Sequence, residues 1–299
     1  MARIKLDDLD YLSTGKKARL YDLMYNHGLK NGTLILLPYD HGLEHGPRDF
    51  FPNPASADPN YVIKLAIETG LNGVVFQPGI AMKYMHAFAG KIPLILKITG
   101  KTDIPPATAP ISPQTGSVEL AVALGAHAVG YTSYVGSARQ EEDILQLFSI
   151  REECDRYGIP IILWSYPRGE AVDAKGGRDS IYAVDYAARF ANEMGMDLVK
   201  LNYPEYDESK AEKYPEPYKT KFKGASHRQM MEQVVKSAGK TLVLVSGGEK
   251  MGDEELLKKV EDSMAAGVTG FLIGRNIWQR PYEQAVKIIS QMKEIMARY

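Results

Sequence analysis

The sequence has one cysteine, no long apolar run and no excess of basic charge. The lone Cys154 excludes an internal disulfide and leaves too few thiolates for a zinc–cysteine cluster. No stretch approaches the ~18 apolar residues of a membrane-spanning helix, and the charged amino terminus does not have the pattern of a signal peptide. A formal net charge of −1 disfavours nucleic acid and membrane surfaces as partners. We therefore expect a cytoplasmic protein.

The apolar segments of the chain have the lengths of strands and helices in alternation. The 299 residues are 44% hydrophobic and 24% charged, which is typical of a globular protein. Strand-like runs such as Pro93–Ile98 and Thr241–Ser246 are continuously apolar and are separated by helical patterns such as Arg139–Tyr157. This alternation indicates a parallel sheet that is buried on both faces. No Gly-x-Gly-x-x-Gly turn follows the first strand, Thr33–Asp40, which disfavours a dinucleotide-binding sheet.

About eight such strands favour an α/β fold in which one (β/α)8 TIM barrel forms a single domain over residues 1–299. Residues 1–32 are predicted to be an N-terminal helical extension, with a helix over Lys16–Tyr25. Two segments rich in proline, Thr99–Ser117 and Tyr203–Gly224, are predicted to be long loops after strands 3 and 6. In a TIM barrel, polar residues at the carboxyl ends of the strands line the active site.

Lys200 ends the predicted sixth strand, Asp197–Asn202, among aliphatic neighbours. Apolar surroundings lower the pKa of a lysine and make its amine a usable nucleophile. The alternative is a lysine that reaches solvent or pairs with an acid. Lys97, near the end of the third strand, is a rival nucleophile in a similar setting. If Lys200 is the nucleophile, Lys97 is expected to bind a phosphate or carboxylate, or to depress the pKa of Lys200 as a second cation.

The neighbouring fifth strand, Ile159–Tyr166, supplies two aromatic candidates. Trp164 and Tyr166 are two residues apart, so their side chains point to the same face. Because the fifth and sixth strands are adjacent in a sequential barrel, the Tyr166 phenol could move protons to and from an intermediate on Lys200. The alternative for both aromatic rings is packing against the barrel wall. Lys97 lies two strands away from them, and we therefore rank Lys200 first.

Glycine-rich turns follow the seventh and eighth strands. Ser246-Gly247-Gly248 and Gly274-Arg275 would let backbone N–H groups approach phosphate oxygens, and Arg275 adds a forked donor. Many TIM barrels bind phosphate at these two positions, so we predict a phosphate site there rather than simple tight turns. Arg48, Lys97 and Arg168 are candidates for a second, distal phosphate.

Asp40 ends the first strand and could orient the lysine, bind substrate hydroxyls or cap the following turn. The next residues, His41, Glu44 and His45, suggest a metal site, because histidines four apart can share a metal ion on a helix. Gly42 and Gly46 predict a loop instead, which disfavours this interpretation. We expect no metal and no other cofactor.

These motifs together resemble the archaeal-type class I fructose-bisphosphate aldolases. The resemblance runs from about Thr33 to the carboxyl terminus and rests on Tyr39-Asp40-His41-Gly42-Leu43-Glu44-His45-Gly46-Pro47, Trp164-Ser165-Tyr166, Val199-Lys200, Ser246-Gly247-Gly248 and Gly274-Arg275. It implies a TIM barrel that uses no metal and forms a homo-oligomer of five-fold, decameric type.

The same resemblance assigns a role to each matching position. Lys200 would form the Schiff base, Tyr166 would donate and accept protons, Trp164 would shape the pocket and Asp40 would contact lysine and substrate. The 1-phosphate would bind at Ser246, Gly247, Gly248, Gly274 and Arg275. Relatives with other reactions exist: an aminodideoxyheptulosonate synthase and a thiolase that acts on a phosphorylated autoinducer.

The leading hypothesis is reversible cleavage of fructose 1,6-bisphosphate to dihydroxyacetone phosphate and glyceraldehyde 3-phosphate. Three alternatives stay open: another lysine-dependent carbon–carbon lyase or transferase of the same family, a metal-dependent aldolase that uses His41 and His45, and a non-catalytic sensor of phosphorylated sugars.

Overall fold

The computed structural model describes residues 2–106 and 108–299. Within this part of the chain, eight parallel strands close into a barrel in sequential order, with β8 paired to β1. The strands are β1 (Leu34–Pro38), β2 (Gly73–Phe76), β3 (Leu94–Lys97), β4 (Ala128–Ser133), β5 (Ile161–Ser165), β6 (Leu198–Leu201), β7 (Leu242–Ser246) and β8 (Gly270–Leu272). The predicted (β/α)8 TIM barrel is confirmed.

Helices precede, separate and follow the strands. They are α1 (Thr14–Tyr21), α2 (His41–Glu44), α3 (Pro59–Glu68), α4 (Pro78–Tyr84), α5 (Val118–Ala123), α6 (Gln140–Tyr157), α7 (Glu170–Asp173), α8 (Ile181–Glu193), α9 (Tyr218–Lys221), α10 (His227–Ala238), α11 (Asp253–Ala266), α12 (Arg275–Trp278) and α13 (Tyr282–Met296). Among residues 2–106 and 108–299, the helices are too short or too polar to cross a lipid bilayer.

Alternate residues of each strand point into the barrel, and this parity positions the site. Leu198 of β6 and Ile162 of β5 pack in the barrel interior, whereas Val199 and Leu163 pack outward against the helices. Lys200 and Trp164 follow the inward parity, and the β5–β6 register places them side by side. The residues that point into the barrel and those that point outward are both mostly apolar, which explains the continuous apolar runs of the sequence.

The N-terminal segment closes the end of the barrel opposite the carboxyl ends of the strands. Leu6, Leu9 and Leu20 are buried in the same cluster as the inward residues at the start of the strands. Lys16 of α1 forms an ion pair of 2.9 Å with Asp197, the residue before β6. The same carboxylate accepts a hydrogen bond from the backbone N–H of Ile161 in β5 at 2.9 Å. This end of the molecule therefore fixes β5 against β6.

Several local predictions differ from the structure. The predicted helix over Lys16–Tyr25 is α1 followed by a π turn over Asp22–Asn26. The predicted loop over 203–224 contains a 3₁₀ turn, Glu208–Lys213, and the short helix α9. By contrast, the predicted loop over 99–117 does lie between β3 and α5. Residue 107 of this segment lies outside the described residues.

Candidate active site

A cleft of about 710 Å³ opens at the carboxyl ends of the strands. Most of the residues singled out in the sequence line it, and they come from β1, β5, β6, β7 and β8 and the segments that follow these strands. The lining includes Asp40, His41, Glu44, His45, Arg48, Trp164, Tyr166, Arg168, Lys200, Ser246, Gly247, Gly248, Gly274 and Arg275. The barrel thus brings together candidates that lie up to 235 residues apart in the chain (275 minus 40).

Lys200 lies at the floor of the cleft with 6% of its surface exposed. Its Nζ is 5.3 Å from the centre of the Trp164 ring and 5.5 Å from that of Tyr166. Burial lowers the pKa of Lys200 to about 8, although Asp40 and Glu44 act to raise it. A larger share of the amine is then neutral at pH 7 than at the ordinary pKa of lysine. The side chain is therefore suited to nucleophilic attack on a carbonyl carbon.

Tyr166 follows β5 and lies beside Lys200. Burial, together with the nearby Asp40 and Glu44 carboxylates, raises its pKa above the ordinary value. The phenol is therefore protonated at neutral pH and can donate a proton to a reacting group. Trp164 is fully buried, and its indole N–H has no hydrogen-bond partner among the described residues. Trp164 also lines the cleft, and its role in shaping the pocket stays a prediction.

Asp40 follows β1 and is buried close to the Lys97 ammonium and the His41 imidazole. Its Oδ2 is 3.6 Å from Nζ of Lys97, and its Oδ1 is 3.5 Å from Nδ1 of His41. Burial acts to raise the pKa of Asp40, but Lys97, His41 and Lys200 outweigh it and lower the pKa to about 2. Asp40 is thus a carboxylate at neutral pH. It can orient an ammonium group or accept hydrogen bonds from substrate hydroxyls.

The turns after β7 and β8 meet at one wall of the cleft. Asn276 is fully buried and donates from Nδ2 to the carbonyls of Gly247 and Glu249, at 2.8 and 2.9 Å. Its Oδ1 accepts the N–H of Met251 at 2.9 Å. Arg275 donates to the carbonyl of Gly248 at 3.3 Å. These contacts fix the two glycine turns to each other, so that a small anion can contact both.

Comparison with known proteins identifies the family. The family model for DeoC/LacD aldolases matches residues 34–280. The chain belongs to this family. It is 42% identical over 251 residues to the fructose-bisphosphate aldolase class 1 of Thermoproteus tenax, with 84% of each chain covered. It is 30% identical over 217 residues to the 2-amino-3,7-dideoxy-D-threo-hept-6-ulosonate synthase of Halobacterium salinarum, covering 73% of this chain and 71% of the synthase.

A solved structure has a similar fold. It is an archaeal fructose-1,6-bisphosphate aldolase with its catalytic lysine covalently bound to the carbinolamine intermediate of the substrate. It is 39% identical to this chain with a TM-score of 0.78, and the match covers 93% of this chain and 99% of that one. Both the fold and the family predicted from the sequence are therefore confirmed.

Lys97 does not line the cleft of this DeoC/LacD aldolase. It is fully buried below the floor, where its Nζ lies 3.4 Å from Glu44 Oε1 and donates to the carbonyl of Thr99 at 3.2 Å. This position does not favour the predicted phosphate contact, since a bound phosphate would have to replace these buried partners. The geometry favours the alternative prediction, that Lys97 pairs with carboxylates. These carboxylates belong to Asp40 and Glu44 of the protein itself.

The histidines near β1 occupy a turn of helix rather than the predicted loop. His41 begins α2 and His45 follows it, with ring centroids 5.5 Å apart. The reason given from the sequence against a metal site was therefore wrong. Burial lowers the pKa of His41 to about 3, and His45 Nδ1 is 2.7 Å from Asp49 Oδ2. Among residues 2–106 and 108–299, no group of three or more histidine, cysteine or acidic side chains is arranged to hold a metal ion.

Sequence reasoning missed a group of charged residues in the segment between β5 and α8. Arg178 and Asp179 line the cleft near Arg168. Asp179 Oδ1 accepts a hydrogen bond from Asn202 Nδ2 at 2.6 Å, and Asn202 Oδ1 accepts one from Ser246 Oγ at 3.3 Å. Two charged residues in a segment that follows a barrel strand could have been taken as a signal, but only the fold shows which way the segment turns.

Proposed function

We propose that this DeoC/LacD family aldolase is a class I fructose-bisphosphate aldolase, which forms a Schiff base on Lys200. The observation that carries the proposal is a buried lysine at the end of β6, whose Nζ lies 5.5 Å from the centre of the Tyr166 ring in a cleft that two linked glycine turns also line. The substrate assignment is supported by the Thermoproteus tenax relative, which is named for this activity and is 42% identical.

The proposed reaction begins with attack of the neutral Lys200 amine on the C2 ketone. After proton transfer within the resulting carbinolamine, the departing hydroxyl takes a proton from Tyr166 and leaves as water. The product is a protonated imine on Lys200 and a phenolate at Tyr166. The phenolate accepts the C4 hydroxyl proton, the C3–C4 bond breaks into the imine, and glyceraldehyde 3-phosphate departs.

An enamine of dihydroxyacetone phosphate then remains on Lys200. Tyr166, again a phenol, protonates its C3 carbon, and addition of water to the regenerated imine releases dihydroxyacetone phosphate. The protonated imine accepts the electron pair of the broken bond, and we therefore propose that the reaction needs no metal ion. Asp40, as a buried carboxylate, orients the amine and accepts substrate hydroxyl hydrogen bonds.

The two phosphates of the substrate have separate candidate sites. We propose that the 1-phosphate binds at Ser246, Gly247, Gly248, Gly274 and Arg275. For the distal phosphate we favour Arg168, whose guanidinium lies 5.3 Å from the centre of the Tyr166 ring. Burial and the neighbouring Arg178 lower the pKa of Arg168. Two guanidinium groups that repel each other in the free protein would gain from an anion between them.

An Arg168→Met variant is expected to raise KM for fructose 1,6-bisphosphate about 10- to 100-fold, since a charged hydrogen bond to phosphate is lost. KM for fructose 1-phosphate, which has no distal phosphate, should change less than about threefold. Steady-state kinetics on the two sugars checks this. The matched control is Arg48→Met, which removes a cleft arginine that is already paired with Asp103. Equal losses on both sugars in Arg168→Met would contradict the distal role.

Borohydride reduction in the presence of dihydroxyacetone phosphate tests the proposed function. We expect a stable adduct on Lys200, found by intact mass and peptide mapping, and cleavage that is insensitive to a chelator. An adduct on Lys97 would keep the reaction class but overturn the proposed site. Chelator-sensitive cleavage without an adduct would favour the metal-dependent alternative at His41 and His45, and binding without turnover would favour a sensor.

The turnover of fructose 1,6-bisphosphate must also be compared with the turnover of substrates of the family's other reactions. The second candidate function is that of a 2-amino-3,7-dideoxy-D-threo-hept-6-ulosonate synthase, because a relative in Halobacterium salinarum has this name. We expect fructose 1,6-bisphosphate to give the higher kcat/KM, in line with the higher identity to the relative named for its cleavage.

We also propose that the protein acts in the cytoplasm as a homo-oligomer of decameric type. Several large apolar side chains of the outer helices are exposed and would be covered in such an assembly. They include Leu145 (71% exposed) and Phe148 (50%) of α6 and Tyr186 (55%) of α8.

A further inference from the structure

Lys97 is a fully buried lysine with two acidic neighbours and no access to the cleft. Its Nζ lies 3.4 Å from Glu44 Oε1 and 3.6 Å from Asp40 Oδ2. A buried ammonium is stable only where opposite charges and hydrogen bonds replace water, and the Thr99 carbonyl at 3.2 Å completes this set. The Lys97 ammonium therefore holds the Asp40 and Glu44 carboxylates at the floor of the cleft.

The barrel provides space for this lysine at Gly130, its register partner on β4. A Cβ atom at position 130 would lie 2.9 Å from Cδ of Lys97 and 2.9 Å from Cζ3 of Trp164. The Lys97 ammonium lies 5.1 Å from the centre of the Trp164 ring, and Lys200 contacts the same ring at 5.3 Å. The absent side chain at Gly130 thus allows both lysines to pack against one indole.

Asp40 and Glu44 also act on Lys200, and they oppose the effect of burial there. Each carboxylate favours the ammonium form of Lys200. An ammonium has no lone pair and cannot attack a carbonyl. A second cation that pairs with the same two carboxylates reduces their net negative charge, and Lys97 is the largest influence that keeps Asp40 ionised against burial.

We propose that Lys97 is a positioning residue of the active site: it pairs with Asp40 and Glu44 and so leaves the Lys200 amine free to act as the nucleophile. This inference rests on the proposed function, since it assigns a task to Lys97 within Schiff-base formation. Other groups also face the two lysines, and a pH profile will include them. They are His41 after β1, Tyr166 after β5 and Arg275 after β8. Tyr134 after β4 faces Asp40 and Glu44, and Arg168 faces Tyr134 and Tyr166.

The test is the pH dependence of imine trapping by borohydride with dihydroxyacetone phosphate. In the wild-type protein, the initial trapping rate should rise with pH through the Lys200 pKa near 8. In Lys97→Met, Asp40 and Glu44 lose their partner and hold the Lys200 ammonium more strongly. The midpoint should move up by about one pH unit or more, so that trapping at pH 7 falls about tenfold and recovers at higher pH.

Two further variants separate positioning from mere support of the fold. Glu44→Gln removes one of the charges that Lys97 neutralises, and its midpoint should move to lower pH. The double variant Lys97→Met/Glu44→Gln should lie closer to the wild type than Lys97→Met alone, because both charges of one pair are gone. If Lys97→Met alone does not fold, the double variant is compared with Glu44→Gln: a higher midpoint in the double variant supports the inference, since Asp40 has lost its partner, and equal midpoints would overturn it.

The matched control is Lys16→Met, which removes another buried, ion-paired lysine at the opposite end of the barrel. It should lower the melting temperature and leave the trapping midpoint unchanged. A Lys97→Met variant that loses stability in the same way, without a shift of its midpoint, would overturn the inference. A wild-type protein that forms no adduct on Lys200 would instead overturn the proposed function itself.

Discussion

Replacing Lys200 with methionine is expected to abolish cleavage of fructose 1,6-bisphosphate, with kcat reduced on the order of 10⁴-fold or more. Methionine keeps the length of the side chain but has no amine, so neither a carbinolamine nor an imine can form. Coupled assay of dihydroxyacetone phosphate release measures the loss, and intact mass after borohydride reduction should show no adduct.

The fold of Lys200→Met should be retained. Lys200 carries a buried charge, and an apolar side chain of similar volume in its place is often neutral or stabilising. Asp40 keeps its other partner, Lys97, at 3.6 Å. We therefore expect a melting temperature at or above that of the wild type. Undiminished cleavage by this variant, or an adduct that moves to Lys97, would contradict Lys200 as the nucleophile.

Replacing Tyr166 with phenylalanine is expected to lower kcat by about 10²- to 10⁴-fold, the range for loss of a general acid–base group. The ring, and with it the packing against Lys200 and Arg168, is retained. Because the same hydroxyl protonates the enamine, exchange of the C3 hydrogen of dihydroxyacetone phosphate with solvent should fall in parallel. Proton NMR in deuterated water measures this exchange.

Tyr131→Phe is the matched control for the loss of a buried tyrosine hydroxyl. Tyr131 lies on the outer face of β4 and donates to Asp143 at 2.6 Å, away from the cleft. Its replacement should cost stability and leave both kcat and hydrogen exchange near the wild-type values. If Tyr166→Phe slows cleavage but not exchange, the group that protonates the enamine is another one.

The sequence was sufficient to predict the pairing of Lys200 with Tyr166, and the reason is geometric. Strand order in a (β/α)8 barrel is sequential, and side chains two residues apart share a face. The end of each strand therefore locates its residues in space without knowledge of the loops. The glycine turns after β7 and β8 were found for the same reason, since their place depends only on strand order.

Contacts across the barrel could not be predicted in this way. Lys97 faces Asp40 from two strands away, and whether its Nζ reaches a carboxylate or the cleft depends on a missing side chain at Gly130. The helical turn at His41 and the position of Arg178 depend on how loops fold over the strand ends. Local sequence patterns hold little information on either.

The tie between Asp197, Lys16 and the backbone of Ile161 has a consequence for how this family can diversify. It fixes the two strands that carry Tyr166 and Lys200 at the end of the barrel remote from the cleft. Segments 99–117 and 203–224 lie outside that tie. Both segments line the cleft, the first at Lys101, Asp103 and Pro110 and the second at Tyr203 and Glu205. Changes there can therefore alter the lining of the cleft while the strands that carry Tyr166 and Lys200 stay tied to each other.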